Sequence, residues 1–152
     1  MSQIEIVSKS LPAVRLAARR AVVAEQPEVA GVVGPLFDAV GDILTSAGVR
    51  LDQPIAQYEM TEDGLHILAG YAISSDAPDG LDAVDLPSVP VAICGIHLGS
   101  MDRIGESWQA VHAEMIARGF SPSGPCREVY VRAVSDDQQD WVTELQQPVE
   151  RA

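Results

Sequence analysis

The chain is poor in most of the residues that announce chemistry. Its two cysteines, Cys94 and Cys126, make no disulfide framework and stand at no redox or metal-ligand spacing. The three histidines, His66, His97 and His112, form no cluster with them, so no metal is expected. The glycines of GVVGPLF and HLGSMDRIG lack the GxxxxGK[ST] spacing of a phosphate loop, and no G-x-S-x-G elbow occurs. Nucleotide-dependent and serine-hydrolase chemistry are therefore disfavoured, and no cofactor is expected. Basic residues are scarce as well. Ten Lys and Arg against 22 Asp and Glu give a net charge of −12, which opposes phosphate-led binding to nucleic acid and adsorption to an anionic membrane. Nowhere do about 18 apolar residues run together, and MSQIEIVSKSLPAVRLAARR has no apolar stretch suited to a signal peptide. A cytoplasmic location is the expectation.

What is present reads as one globular domain over residues 1–152, with 47% hydrophobic and 21% charged residues. Alternation at Ile4 and Ile6, then at Val14, Leu16 and Ala18, predicts two strands about a turn at Leu11-Pro12, the second running to about Val23. From Pro27 to Gly48 the period changes. Val32, Leu36, Val40, Ile43, Leu44 and Ala47 recur at helical steps, and Gly48 suits the left-handed residue that closes a helix. The strands Pro54 to Met60 and Leu65 to Ile73 follow, joined through Asp63-Gly64, a strong hairpin signal. Residues 74–90 form a Pro/Asp/Ser-rich connector holding a short strand from Leu81 to Leu86. A strand from Val91 to Leu98 leads into a helix from Asp102 to Arg118, with Ile104, Trp108, Val111 and Met115 on one face and Gly119 at its end. Strands Pro125 to Val134 and Trp141 to Pro148 complete the chain.

Laid over each other at an offset of 71 residues, the two halves coincide: Gly34 meets Gly105, Phe37 meets Trp108, Val40 meets Val111, Gly48 meets Gly119, and Pro54 meets Pro125. The second hairpin is longer by about five residues, after which Ala72-Ile73 aligns with Pro148-Val149. The expectation is an α+β fold, a β-α-β-β unit used twice with a pseudo-twofold relation. Its strands form one antiparallel sheet, both helices lie on one face, and a ligand cleft opens where the units meet. Repeat one spans about 3–73, a linker about 74–88, and repeat two about 89–149.

One acidic residue stands apart. In PCREVYVRAV, alternation puts Val129, Val131 and Ala133 on one face, assigned to the helices, and Glu128, Tyr130 and Arg132 on the other. Glu is disfavoured in mid-strand, so Glu128 needs a reason. Either this face is wet and Glu128 pairs with Arg132, or Glu128 is partly buried beside aromatic rings and seeks a cation or a proton. The seven aromatics are few. Phe37 and Trp108 occupy matching helix positions facing core or cleft, Tyr58 shares a strand face with Ala56 and Met60, and Tyr130 shares one with Glu128. A carboxylate among Tyr and Trp faces is a physical recipe for a lipophilic-cation site, because ring quadrupole and formal charge add. The same groups suit an electrophile, with Glu128 as general base for water and a Tyr hydroxyl as proton donor. His97 and His112, lone residues beside these elements, read as structural.

The opening IEIVSKSLPAVRLAARRAVV, the helix motif IGESWQAVH, the strand PCREVYV and the ending DWVTELQQPV together resemble the gyrase-inhibitor-like (GyrI-like) family, related to the effector-binding domains of AraC-type and MerR-type regulators. The resemblance runs from about Ile4 to Val149. It implies a hydrophobic pocket between the repeats, lined by aromatics and carrying one acidic residue on the penultimate strand, here Glu128. By element and face, Tyr58, Trp108 and Tyr130 match the aromatic positions, with Phe37 and Tyr71 as further lining residues.

Two functions follow as expectations. The first is a stand-alone binder of hydrophobic, often cationic small molecules, a form of multidrug recognition. The alternative is a detoxifying hydrolase that opens cyclopropane rings of DNA-alkylating compounds, with Glu128 as general base and Tyr130, or Tyr58, as proton donor. Inhibition of DNA gyrase is not expected, since the acidic residues are dispersed. Direct DNA reading is not expected either, since the chain holds no room for a helix-turn-helix beside an effector domain.

Overall fold

The periodicities become helices and strands close to where they stand in the sequence. The computed structural model describes residues 4–25, 29–133, 135 and 137–152. Its elements run β1 (Ile6–Leu11), β2 (Val14–Val23), α1 (Ala30–Ser46), β3 (Pro54–Thr61), β4 (Gly64–Ala72), β5 (Asp82–Leu86), β6 (Val89–Leu98), α2 (Ile104–Ala117), β7 (Phe120–Pro122), β8 (Cys126–Arg132) and β9 (Val142–Arg151), with a 3-10 turn over Met101–Arg103 ahead of α2. The expected helix start at Pro27 and strand end at Val134 lie outside the described residues. The fold is α+β, with two helices and strands that pair antiparallel throughout.

The chain divides into two compact units, residues 13–87, and residues 1–12 with 88–152. In the 13–87 unit the strand order is β3-β4-β2-β5. Alternate strand residues face α1, which packs Val40 and Leu44 on Ala17, and packs Val32, Val33 and Leu36 on the cluster of Val23, Leu65 and Ile67. Full burial of a Val or Leu side chain contributes about 1.5–3 kcal/mol, so these stripes are what hold the helix down. Gly70 on β4 permits close pairing with β2, because a Cβ there would collide with the Ala17 carbonyl.

In the other unit the order is β1-β6-β9-β8, with β7 on β9. Its core is Ile93, Val111, Met115, Leu145 and Val149, flanked by Ile4, Ile6, Ile104, Trp108 and Phe120. β1, which stands first in the chain, pairs here with β6, Ile6 opposite Gly95, whereas β5 pairs in the 13–87 unit with β2. Each unit thus takes its outer strand from outside the run of its own helix and hairpin. Local periodicity is silent about such long-range pairing, as it is about β7, three residues long.

The repeat shows most clearly at the helix ends. Ala47 N–H bonds the Ile43 carbonyl and Gly48 N–H the Thr45 carbonyl; 71 residues on, Arg118 bonds Glu114 and Gly119 bonds Ile116. Gly48 and Gly119 adopt φ of 75° and 81°, the left-handed region glycine reaches without Cβ strain. In the hairpins the relation slips by one. Aligned on Ile73 and Val149, each packed on its own helix cluster, the ladders Ala56 to Ala69 and Glu128 to Leu145 correspond. Ala56 therefore matches Glu128 and Tyr58 matches Tyr130, an offset of 72 residues, and the Pro54–Pro125 coincidence is not an equivalence.

Candidate functional site

Strand β8 has two environments. Glu128 and Tyr130 are only 6% and 8% exposed, while Val131 is 55% exposed and Ala133 is open to solvent. Glu128 lies opposite Leu145 in the β8–β9 ladder, and Leu145 belongs to the cluster that packs on Val111 and Met115 of α2. Directly opposed residues share a face, so Glu128 and Tyr130 point to the helix side. This reverses the expected assignment of Val129, Val131 and Ala133 to the helices. β-branched residues suit a strand on either face, so their presence does not mark the buried one. The wet-face alternative also falls, because Arg132 is exposed and donates to Asp140 at 3.2 Å rather than to Glu128.

Two neutral side chains donate to the buried carboxylate. The indole N–H of Trp108 donates to Glu128 Oε2 at 2.8 Å, and the Tyr130 hydroxyl donates to Oε1 at 2.7 Å. Both distances are those of well-formed hydrogen bonds. They fix the orientation of the carboxylate. Trp108 is half-buried and its ring lies 5.7 Å from that of the exposed His112. Burial pushes the Cys126 thiol, two residues from Glu128, up to about 11, with the Glu128 charge adding to the effect. That thiol is therefore inert near neutral pH.

Beside this pair runs a buried polar row. Tyr130 on β8 pairs with Thr143 on β9, and Thr143 pairs with His97 on β6. His97 is buried, with Nδ1 2.7 Å from Ser107 Oγ and Nε2 2.8 Å from the Ser100 carbonyl. A carbonyl only accepts, so Nε2 carries the proton and donates. Sequence reasoning noted His97 but missed Ser107, although Ser107 stands four residues before Val111 on the same helix face.

The remaining expected residues belong to the 13–87 unit. Phe37 on α1 meets Tyr71 on β4 edge-on, centroids 5.8 Å apart and planes at 79°. Burial raises the Tyr71 hydroxyl above its ordinary value, with the charge of Asp38 adding. Tyr58 packs on the cluster of Val23, Leu65 and Ile67. A surface depression of about 450 Å³ in the same unit is lined by Asp42, Ile43, Ser46, Ala47, Pro78 and Asp79, none of them an expected site residue. Among the described residues, no helix is long and apolar enough to cross a membrane.

No protein-family model and no curated protein matches the sequence. Solved structures do match. The C-terminal domain of EcmrR is 18% identical, with a TM-score of 0.76 over 99% of this chain and 100% of that one. SAV2435, solved bound to tetraphenylphosphonium, is 14% identical with a TM-score of 0.67, over 96% and 94% of the two chains. A hydrolase from Listeria innocua is 10% identical with a TM-score of 0.67, over 96% and 92%. Identities this low speak to architecture alone. Together with the twice-used β-α-β-β unit, they show that this chain has the fold of the GyrI-like domains its sequence resembles.

Proposed function

We propose that the protein binds hydrophobic, cationic small molecules, with Glu128, Trp108 and Tyr130 as the recognition residues. The observation that carries this reading is a carboxylate 6% exposed whose two oxygens are oriented by an indole and a phenol. A carboxylate attracts a cation, and the half-buried indole beside it offers a π face. A net charge of −12 adds a long-range attraction for cations. The likeness to SAV2435, solved with a lipophilic cation, agrees with this chemistry.

A second reading, hydrolysis of a cyclopropane-bearing alkylating compound, draws on the likeness to the Listeria hydrolase and on the 2.7 Å contact between Glu128 and Tyr130. In it Glu128 takes a proton from water as the water oxygen bonds a ring carbon. The strained C–C bond breaks, and Tyr130 gives its proton to the carbonyl oxygen that receives the electron pair.

Titration of wild type and Glu128→Gln with tetraphenylphosphonium at low and high salt tests the first reading. Micromolar binding that weakens about tenfold, roughly 1.4 kcal/mol, in the variant is expected. Equal binding by both proteins, or none by either, overturns it. Incubation with a cyclopropane-bearing compound separates the readings. Recovery of unchanged ligand supports binding alone, and a product one water heavier that Glu128→Gln fails to form establishes the hydrolase.

A further inference from the structure

We infer that His97 is a positioning residue: through Ser107 and Ser100 it sets where α2 stands on the sheet, and so holds the Trp108 indole on Glu128. Two points fix the helix to β6. At Gly95 the helix comes so close that a Cβ would lie 3.0 Å from Val111 Cγ2 and 2.9 Å from Ile4 Cδ1. Two residues along the same strand face, His97 meets Ser107 at 2.7 Å. Val111 and Ser107 are themselves four residues apart on one face of α2. A small residue sets the depth of approach at one point, and a directional bond sets the position along the helix axis at the other.

The second point adds to what already holds the start of α2, where Met101 N–H donates to Gln138 Oε1 at 2.8 Å and Ile104 packs on the core. The 3-10 turn over Met101–Arg103 contains no buried residue, and Ile104 is only partly buried. His97 spans this end of the helix from the turn to its first full turn. One ring nitrogen reaches the Ser100 carbonyl, and Ser100 caps the turn by accepting from Asp102 N–H at 3.2 Å. The other nitrogen reaches Ser107, the residue next to Trp108. A slide of the helix start moves Ser107 and Trp108 together, and an indole 2.8 Å from its acceptor loses its bond within a fraction of an ångström. Apolar contacts resist separation of helix and sheet but are non-directional, so they do not supply this axial lock. Both of its ring nitrogens can bond as donors, so protonation of His97 keeps the contacts, since the Ser107 hydroxyl can turn from donating to accepting.

The bearing of this lock on ligand recognition rests on the binding role proposed above; the lock itself is read without ligand. The indole N–H signals of the two tryptophans are recorded by NMR, with Trp108 assigned by loss of the other signal in Trp141→Phe. In His97→Leu and Ser107→Ala the Trp108 signal is expected to move toward its position in Glu128→Gln and to exchange faster with solvent, while His97→Asn, whose amide oxygen can still accept from Ser107, restores part of the shift. A purely structural role would lower the urea midpoint and leave that signal in place. Ser107→Ala removes one hydroxyl and keeps the test open if His97→Leu does not fold. Tetraphenylphosphonium binding is expected to weaken about threefold or more in either variant. An unmoved Trp108 signal in both variants overturns the inference. A moved signal with no binding by wild type upholds the positioning role and removes the binding reading instead.

Discussion

Tyr130→Phe isolates one bond of the site. The substitution keeps the ring, which is 8% exposed, and deletes only the hydroxyl that donates to Glu128 Oε1 at 2.7 Å. Hydrogen bonds to charged groups contribute about 1.5–3 kcal/mol, and a distance of 2.7 Å belongs with the strong O–H···O⁻ bonds. Trp108 still holds the other oxygen, so the carboxylate keeps its orientation and the loss should fall near the middle of that range, about 2 kcal/mol. For a chain of this size, each kcal/mol lowers the melting temperature by about 2–4 °C, so a drop of roughly 4–8 °C is expected. Urea unfolding, followed by both tryptophan emission and far-ultraviolet dichroism, should show a lower midpoint with an unchanged slope, since no surface is newly exposed.

The partner is identified by repeating the substitution in Glu128→Gln. There the hydroxyl meets a neutral amide, and Tyr130→Phe should cost about 1 kcal/mol less than it does in wild type. A cost below about 0.5 kcal/mol in wild type, or the same cost in both backgrounds, would show that the phenol does not serve the Glu128 carboxylate.

Three further outcomes follow from particular geometries. Gly48→Ala is expected to cost about 1–2 kcal/mol from its φ of 75° alone, since nothing lies within 4 Å of a Cβ there. Gly95→Ala, at an ordinary backbone angle, should instead displace Val111 and Ile4, so a Val111→Ala change should relieve part of its cost but none of the cost at Gly48; equal behaviour would contradict the close-approach account. Burial pushes the thiols of both Cys94 and Cys126 up to about 11, leaving a thiolate fraction on the order of 0.001 at pH 8, so Ellman's reagent should label both slowly in the native protein and rapidly in urea. Fast native labelling of either cysteine contradicts this. Asp140 is held below the ordinary aspartate range by the Ser135 hydroxyl first, with the Ser135 amide and Arg132 adding to it. A depressed carboxylate stabilises the loop above its unfolded value and loses that contribution as pH falls through the depressed one. The Ser135 amide signal should therefore titrate below the usual aspartate value, and titration at or above it would refute the assignment.

Helix and strand positions were legible because each depends on residues near in sequence: the 3.6-residue stripe of Val40 and Leu44, the Asp63-Gly64 turn, the glycines at 48 and 119. What stayed hidden depends on partners far away. Alternation says that Glu128 and Tyr130 share a face, but it gives no sign to that face; only the β9 register, which brings Leu145 opposite Glu128, supplies one. The outer strand of each unit is hidden for the same reason, since β1 finds its partner more than eighty residues on, Ile6 opposite Gly95. Internal repetition carries more than local pattern does. At the positions equivalent to Trp108 and Glu128, the first repeat has Phe37 and Ala56, so the indole donor and the carboxylate acceptor are absent together. Phe37 rests its ring against Tyr71 instead. Tyrosine, by contrast, occurs in both repeats, as Tyr58 and Tyr130. The same helix-on-hairpin unit is thus built once without the Trp–Glu pair and once with it, so the architecture does not require that pair. The pair is therefore a property of the second repeat and not of the shared fold, so substitutions at Trp108 and Glu128 test the proposed binding role without removing a part that both repeats need.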